Sequence, residues 1–279
     1  MQPHTSDSSN ESIAFIGGGN MASAIIGGLL KRGLPASQIQ VVEPFAEQRA
    51  KLTQQLQVAV NEAPGAALGR ASLVVWAVKP QTFREAAAQT RPHAPTALHL
   101  SVAAGIRSDS IAAWLGTERI VRAMPNTPAL IGQGMTALYA RPAVSEADRL
   151  AVEGVIQTTG DHLWLTQEDQ LDAVTALSGS GPAYVFYFIE AMIAAGTGMG
   201  LSPEQARQLA IGTFVGASAL ARDAAEPPEV LRARVTSKGG TTYAALTAME
   251  QAGIKEKFIQ AMQAAQKRAT EMGDEFGAV

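Results

Sequence analysis

Cysteine is absent from this 279-residue sequence, which excludes disulfides, thiol nucleophiles and thiolate metal sites. A chain without thiols suits a reducing compartment, so the expected location is cytoplasmic. Histidine is scarce: His4, His93, His99 and His162 fall in the leading segment, in loops or within predicted strands. No HExxH pair or carboxylate cluster accompanies them, and no metal site is expected. A basic excess is missing as well, with 22 Lys and Arg against 25 Asp and Glu and a net charge of -3. No basic field exists to hold a phosphate backbone, so nucleic acid is excluded as a partner. The opening residues 1–12 are polar, without the basic and then apolar run of a secretory leader. Residues 1–11 are expected to be a disordered tail. Residues 181–201 are apolar enough to raise the question of a membrane span. Glu190 at their centre, worth roughly 2.5–3.5 kcal/mol against insertion, and the crowded Gly196, Gly198 and Gly200 argue instead for a helix buried in a core or between subunits. No membrane partner is expected.

What is present is a globular composition, 47% hydrophobic and 17% charged. At about 150 residues per domain the length predicts two domains. The first half alternates. Short apolar runs at 13–16, 39–43, 58–60, 73–78, 97–102, 119–123, 135–139 and 162–165 are separated by helical stretches. Residues 73–78, continuously apolar, read as a strand covered on both faces. This pattern predicts an α/β fold with a doubly wound sheet over residues 12–166. From 167 to 279 the chain reads as all-α, with helices at 168–177, 183–195, 203–222, 241–251 and 255–272. Ser202 then Pro203 has the cap-then-proline start of the third. This half is too small to hide its apolar helix alone, which predicts a homodimer.

Ile16-Gly17-Gly18-Gly19-Asn20-Met21-Ala22 sets a G-x-G-x-x-A directly after the first strand and at the mouth of a helix. Gly17 permits the tight turn, Gly19 lets the backbone approach a pyrophosphate, and Ala22 allows close helix packing, with the helix N-terminus offering free N–H groups. A dinucleotide site follows. Glu43 ends the second strand, where a carboxylate accepts bonds from the ribose hydroxyls and repels a 2′-phosphate. Ala77-Val78-Lys79-Pro80 and Val102-Ala103-Ala104 close later strands, at the edge that lines the ligand crevice in such sheets. Met124-Pro125-Asn126-Thr127-Pro128 is a rigid turn after another strand.

Two further loops join hydroxyls and glycines to a helix start. They are Ser178-Gly179-Ser180-Gly181-Pro182 and Ser237-Lys238-Gly239-Gly240-Thr241-Thr242. Each reads as an anion nest for a carboxylate or as ordinary helix capping; the pair, beside a dinucleotide domain, favours a substrate site. No histidine lies near these loops and no lysine falls between Ser178 and Glu190. A reaction needing little proton abstraction, such as reduction of a C=N group, fits.

In this order and spacing, the segments IGGGNMA, AVKP, VAAG, RAMPNTPA, SGSGPAYVF and TSKGGTT resemble the pyrroline-5-carboxylate reductase family from Ile13 to about Met272. The resemblance implies a Rossmann-type nucleotide domain and a helical substrate and dimerisation domain. It implies NAD(P)H-dependent reduction of 1-pyrroline-5-carboxylate to L-proline, the final step of proline biosynthesis, by hydride transfer to the imine C5. It assigns the carboxylate to residues 178–182 and 239–242, and the ring nitrogen to the Thr242 hydroxyl. It also implies dimers interlocked through the helical domains, in rings of five dimers, with the active site between one subunit's nucleotide domain and helices of the dimer. Two positions depart from the family: Lys238 stands where proline is common, and Glu43 where small or polar residues are, which leaves NADH against NADPH open. A β-hydroxyacid dehydrogenase, a reductase of another cyclic imine and a non-catalytic nucleotide-binding sensor are the alternatives. The first expects a catalytic lysine that residues 184–190 lack.

Overall fold

The computed structural model describes residues 12–277; the segment 1–11, read above as a disordered tail, lies outside the described residues. Eight strands build one sheet: β1 (Ser12–Ile16), β2 (Ile39–Val42), β3 (Ala59–Asn61), β4 (Ala71–Trp76), β5 (Leu98–Ser101), β6 (Ile120–Met124), β7 (Gly134–Ala140) and β8 (Gly160–Trp164). Each overlaps an apolar run picked out in the sequence. Their spatial order is β3-β2-β1-β4-β5-β6-β7-β8. The chain therefore works outward from β1 to β3, returns to β4 on the other side and continues outward. That reversal between β1 and β4 is the topological switch point of a doubly wound sheet, where ligands bind at the strands' carboxyl ends.

Helices α1 (Asn20–Lys31), α2 (Ala46–Leu56), α3 (Pro80–Thr90), α4 (Ser108–Leu115) and α5 (Glu146–Ile156) alternate with the strands. Successive strand residues face opposite ways, so the sheet supports two cores. Phe15, Val41, Val75 and Leu100 pack with Ile25 and Ile26 of α1 and Val152 and Ile156 of α5. Ala14, Ile16, Val74 and Trp76 pack with Phe83 of α3 and Ile111 and Leu115 of α4. Covering on both faces is why these strands are continuously apolar rather than alternating.

One pairing departs from the parallel pattern. β7 runs antiparallel to β6, with Val121 opposite Ala140 and Met124 opposite Ala137. Only residues 125–133 join the two strands, fewer than the dozen or so that a parallel crossover needs.

By packing, the chain forms two compact units. The first holds the described residues up to Ser180 together with Ala265 onward; the second is Gly181–Ala264. The sequence expectation of one helix over 168–177 is corrected. A short α6 (Gln170–Val174) gives way to a single wide helical turn, Thr175–Gly179, in which the Ser180 N–H reaches back to the Thr175 carbonyl at 2.8 Å. Such wide turns are rare and cluster at functional sites.

The second unit is helical: α7 (Gly181–Gly198), α8 (Pro203–Asp223), α9 (Pro228–Arg234), α10 (Thr241–Gln251) and the first turns of α11 (Ile254–Gly277). α9 has no counterpart in the sequence reading. Ser202 caps α8 as expected, accepting the Gln205 N–H while Gln205 reaches back to the Ser202 N–H. Tyr184, Phe188 and Phe258 make edge-on ring contacts within this unit. Yet 15 of the 21 exposed large apolar side chains among the described residues lie in it, including Phe186, Tyr187, Leu209, Val215 and Leu220. Exposed apolar side chains concentrated in one unit are what an interface requires. α7 is nonetheless no membrane span: among the described residues no helix is long and apolar enough to cross a bilayer.

Candidate functional site

The glycine loop follows β1 at the switch point. Gly17 has φ +92°, and a Cβ there would stand 2.6 Å from the Ala77 carbonyl oxygen, so both conformation and space require glycine. Around Gly19, by contrast, nothing lies within 4 Å of an added Cβ. That open side is where a phosphate group can approach. Gly19 is the N-cap of α1, yet no side chain caps the helix and no acidic residue occupies its first turn. The N–H groups at this terminus, with Asn20 and Met21 in the first turn, and the positive end of the helix dipole are left for an anion. A cradle that a side chain would fill, facing an uncapped helix start, fits a dinucleotide pyrophosphate.

Glu43 lies just past the end of β2 and is buried. Its carboxylate accepts the Gly18 N–H at 2.8 Å through Oε2 and the Phe45 N–H at 3.0 Å through Oε1. Gln48 donates to the Gly18 carbonyl at 2.5 Å, and Arg49 donates to the carbonyls of Glu43 and Pro44. Glu43 thus braces the glycine loop. Gln48 and Arg49 carry no sequence signal for this role, since both read as ordinary polar residues of a surface helix.

The next strands add walls. Lys79 is exposed and is the N-cap of α3, which starts on Pro80 and again carries neither a side-chain cap nor an acidic first turn. Ala77 donates its N–H to the Ile16 carbonyl at 2.8 Å, locking the β4 exit beside the glycine loop with Val78 next to Gly17. After β5, Val102 donates to the Trp76 carbonyl, and Ala103 and Ala104 leave the crevice edge free of bulk. Behind them Gly105 (φ +72°) packs against Met272 and Phe276 of α11.

This wall is tied down by charge. Glu168 pairs with the buried Arg122 of β6 at 2.6 Å and accepts both the N–H and the hydroxyl of Ser108 at the start of α4. Burial holds the Arg122 guanidinium below its usual pKa, against the opposing pull of Glu168 and Asp172. Arg107 reaches Asp172 at 3.7 Å and Asp274 at 3.6 Å, and Thr270 donates to Asp172 at 2.9 Å. A buried pair of this type is costly to break, because the partner left behind is an uncompensated charge.

Ser178, Gly179 and Ser180 form the exit of the wide turn, in the first unit. A Cβ on Gly179 would stand 2.3 Å from Met124 Cε, so the turn rests directly on the carboxyl end of β6. Gly181 and Pro182 open α7 in the helical unit. In that unit Gly239 (φ +77°) and Gly240 lead into α10, with Gly240 as N-cap. No side chain caps α10 and no acid lies in its first turn, which holds Thr241 and the half-buried Thr242. The departing residue Lys238 is exposed. The sequence reading gave Asn126 only as part of a rigid turn, with no site role; its amide donates to the Ser178 hydroxyl at 3.2 Å.

The family description "Pyrroline-5-carboxylate reductase dimerisation" matches residues 168–272, and "NADP oxidoreductase coenzyme F420-dependent" matches residues 12–105. The chain is 45% identical to the pyrroline-5-carboxylate reductase of Pseudomonas aeruginosa, over 95% of this chain and 98% of that protein. It is 42% identical to the Haemophilus influenzae protein of the same name, over 93% and 97%. Among solved structures, a pyrroline-5-carboxylate reductase from Coxiella burnetii superposes with a TM-score of 0.88 at 35% identity, covering 94% of this chain and 98% of that one. The Plasmodium falciparum pyrroline carboxylate reductase, solved with NADP bound, gives 0.84 at 27% identity over 94% and 98%.

Proposed function

Because the chain belongs to the pyrroline-5-carboxylate reductase family, we propose a division of labour among its residues for the family's reaction. The protein is an NAD(P)H-dependent oxidoreductase that reduces 1-pyrroline-5-carboxylate to L-proline in proline biosynthesis, and it is a homo-oligomer through its helical part. What carries this reading is near-full-length identity to reductases of that name, spanning both the glycine cradle and the start of α10. The dehydrogenase, other-imine and sensor alternatives have no comparable support.

Residues 12–166 are assigned to the dinucleotide and 167–279 to substrate and dimer formation. Gly17, Gly18 and Gly19, with Ile16, Asn20 and Met21, seat the pyrophosphate on α1; Glu43 takes the ribose. Ala77, Val78, Lys79 and Pro80 and the small Val102, Ala103 and Ala104 bound the nicotinamide end. Bound NAD(P)H supplies the hydride that adds to C5 of the cyclic imine.

We assign the substrate carboxylate to the N–H and hydroxyl groups of residues 178–182 and of Gly239, Gly240 and Thr241. The uncapped α10 start supports the second assignment. The Thr242 hydroxyl faces the ring nitrogen, holding the C=N bond in the plane needed for hydride addition and stabilising the charge that shifts there. The nitrogen's proton comes from solvent, since such imines are readily protonated near neutral pH. Five dimers in a ring is the proposed assembly, and the cytoplasm the proposed compartment.

Purified protein given 1-pyrroline-5-carboxylate is expected to oxidise NADH, NADPH or both and release L-proline, followed by loss of reduced-nicotinamide absorbance. Cofactor binding without turnover on either nucleotide would leave the sensor reading standing in its place.

A further inference from the structure

Asn126 lies between β6 and β7 and is the N-cap of the short turn Thr127–Ile131, with extended backbone. Asparagine at such a position ordinarily spends its side chain on the helix it precedes. This one does not cap. Its Oδ1 accepts the Met135 N–H at 3.0 Å, at the start of β7. Its Nδ2 donates to the Ser178 hydroxyl at 3.2 Å and to the Ser178 carbonyl at 3.3 Å. The orientation of the amide is fixed by chemistry: a backbone N–H only donates, so the carboxamide oxygen must face Met135 and the nitrogen must face Ser178.

The consequence falls on the serine. A hydroxyl has one proton and two lone pairs. With Asn126 occupying a lone pair, the hydroxyl proton points away from the amide and is available to an incoming acceptor. Gly179 in the same turn lies directly against Met124 at the end of β6. We infer that Asn126 is a positioning residue for the substrate: it sets the Ser178 hydroxyl as a donor towards the carboxylate of the cyclic imine. This deepens, and rests on, the assignment of residues 178–182 to that carboxylate.

The test compares wild type with Asn126→Ala and Asn126→Asp; the second keeps an acceptor for Met135 but replaces the donor to Ser178 with a charged acceptor, which draws the Ser178 proton away from the substrate. Asn126→Ala is expected to raise the KM for 1-pyrroline-5-carboxylate about tenfold, the size of one ordinary hydrogen bond, and Asn126→Asp by at least as much. The Kd for L-proline, read by calorimetry, should weaken in step, with the Kd for NADPH within about twofold of wild type. Because Asn126 acts through the hydroxyl, most of that loss should vanish when Asn126→Ala is made on Ser178→Ala. An unmoved KM and proline affinity in the folded Asp variant would overturn the inference, as would a full tenfold effect persisting on Ser178→Ala. Wild-type turnover tests the underlying reading separately. Its absence would take both down, whereas normal turnover with an unmoved KM removes only the role of Asn126.

Discussion

The carboxylate of Glu43 holds the Gly18 N–H at 2.8 Å across 25 residues of sequence. The end of β2 and the loop after β1 are therefore one rigid piece, and an acid that reads as a ribose ligand also braces the phosphate cradle. Glu43→Ser should weaken both cofactors, by about 1.5–3 kcal/mol for a lost charged hydrogen bond. NADH should lose more than NADPH, because the removed charge also repels a 2′-phosphate. Fluorescence titration with each nucleotide measures this. Equal losses would confine Glu43 to bracing, and unchanged affinities would make it a bystander.

Thr242→Ala should lower kcat by roughly 100-fold, the usual loss when one donor aimed at developing charge is removed. Cofactor Kd should stay near wild type, since α10 lies in the helical unit while the glycine cradle is built by β1, β2 and α1. Full turnover in this variant would displace Thr242 from the nitrogen.

Acid should destabilise the protein through His99. Its Nδ1 accepts the Trp76 indole N–H at 3.1 Å, which only the unprotonated ring can do. Burial, and then the nearby Arg119 charge, lower its pKa from 6.5 to about 4. Below pH 6.5 the unfolded chain takes up a proton at this position that the folded protein refuses. Stability is therefore present in full above that pH and is lost as pH falls towards 4, by an amount on the order of 3 kcal/mol. Urea unfolding at several pH values should show this slope in wild type and a smaller one in His99→Gln. Identical slopes would assign the acid sensitivity elsewhere.

Phe186→Glu, on the exposed side of α7, should lower the particle mass seen by light scattering, because aromatic anchors carry a large share of interface energy. An unchanged oligomer would place Phe186 outside the interface.

Much of the fold was legible because its signals are local. Apolar runs such as 73–78 locate strands whatever their partners, and Ser202 with Gln205 announces a helix start three residues at a time. The antiparallel β7 is written only in a connection length, nine residues from 125 to 133. The wide turn at Thr175–Gly179 follows an ordinary helical pattern in sequence and lies against Met124 in the fold. Site residues divide in the same way. Gly17 and Gly19 are visible because backbone geometry demands them. Gln48, Arg49 and Asn126 work through bonds to residues 30, 6 and 52 positions away, and no periodicity carries such information.

α11 serves two masters, and that complicates a common experiment. Its early turns belong to the helical unit, while Met272, Phe276 and Asp274 shore up the Gly105–Arg107 corner of the first. Deleting the helix to make a monomer would also loosen the Gly105–Arg107 corner after β5, beside the residues proposed for the cofactor. An inactive truncation would then say nothing about whether pairing is needed for catalysis. Surface charges placed on α7 or α8 separate the two questions; shortening the protein does not.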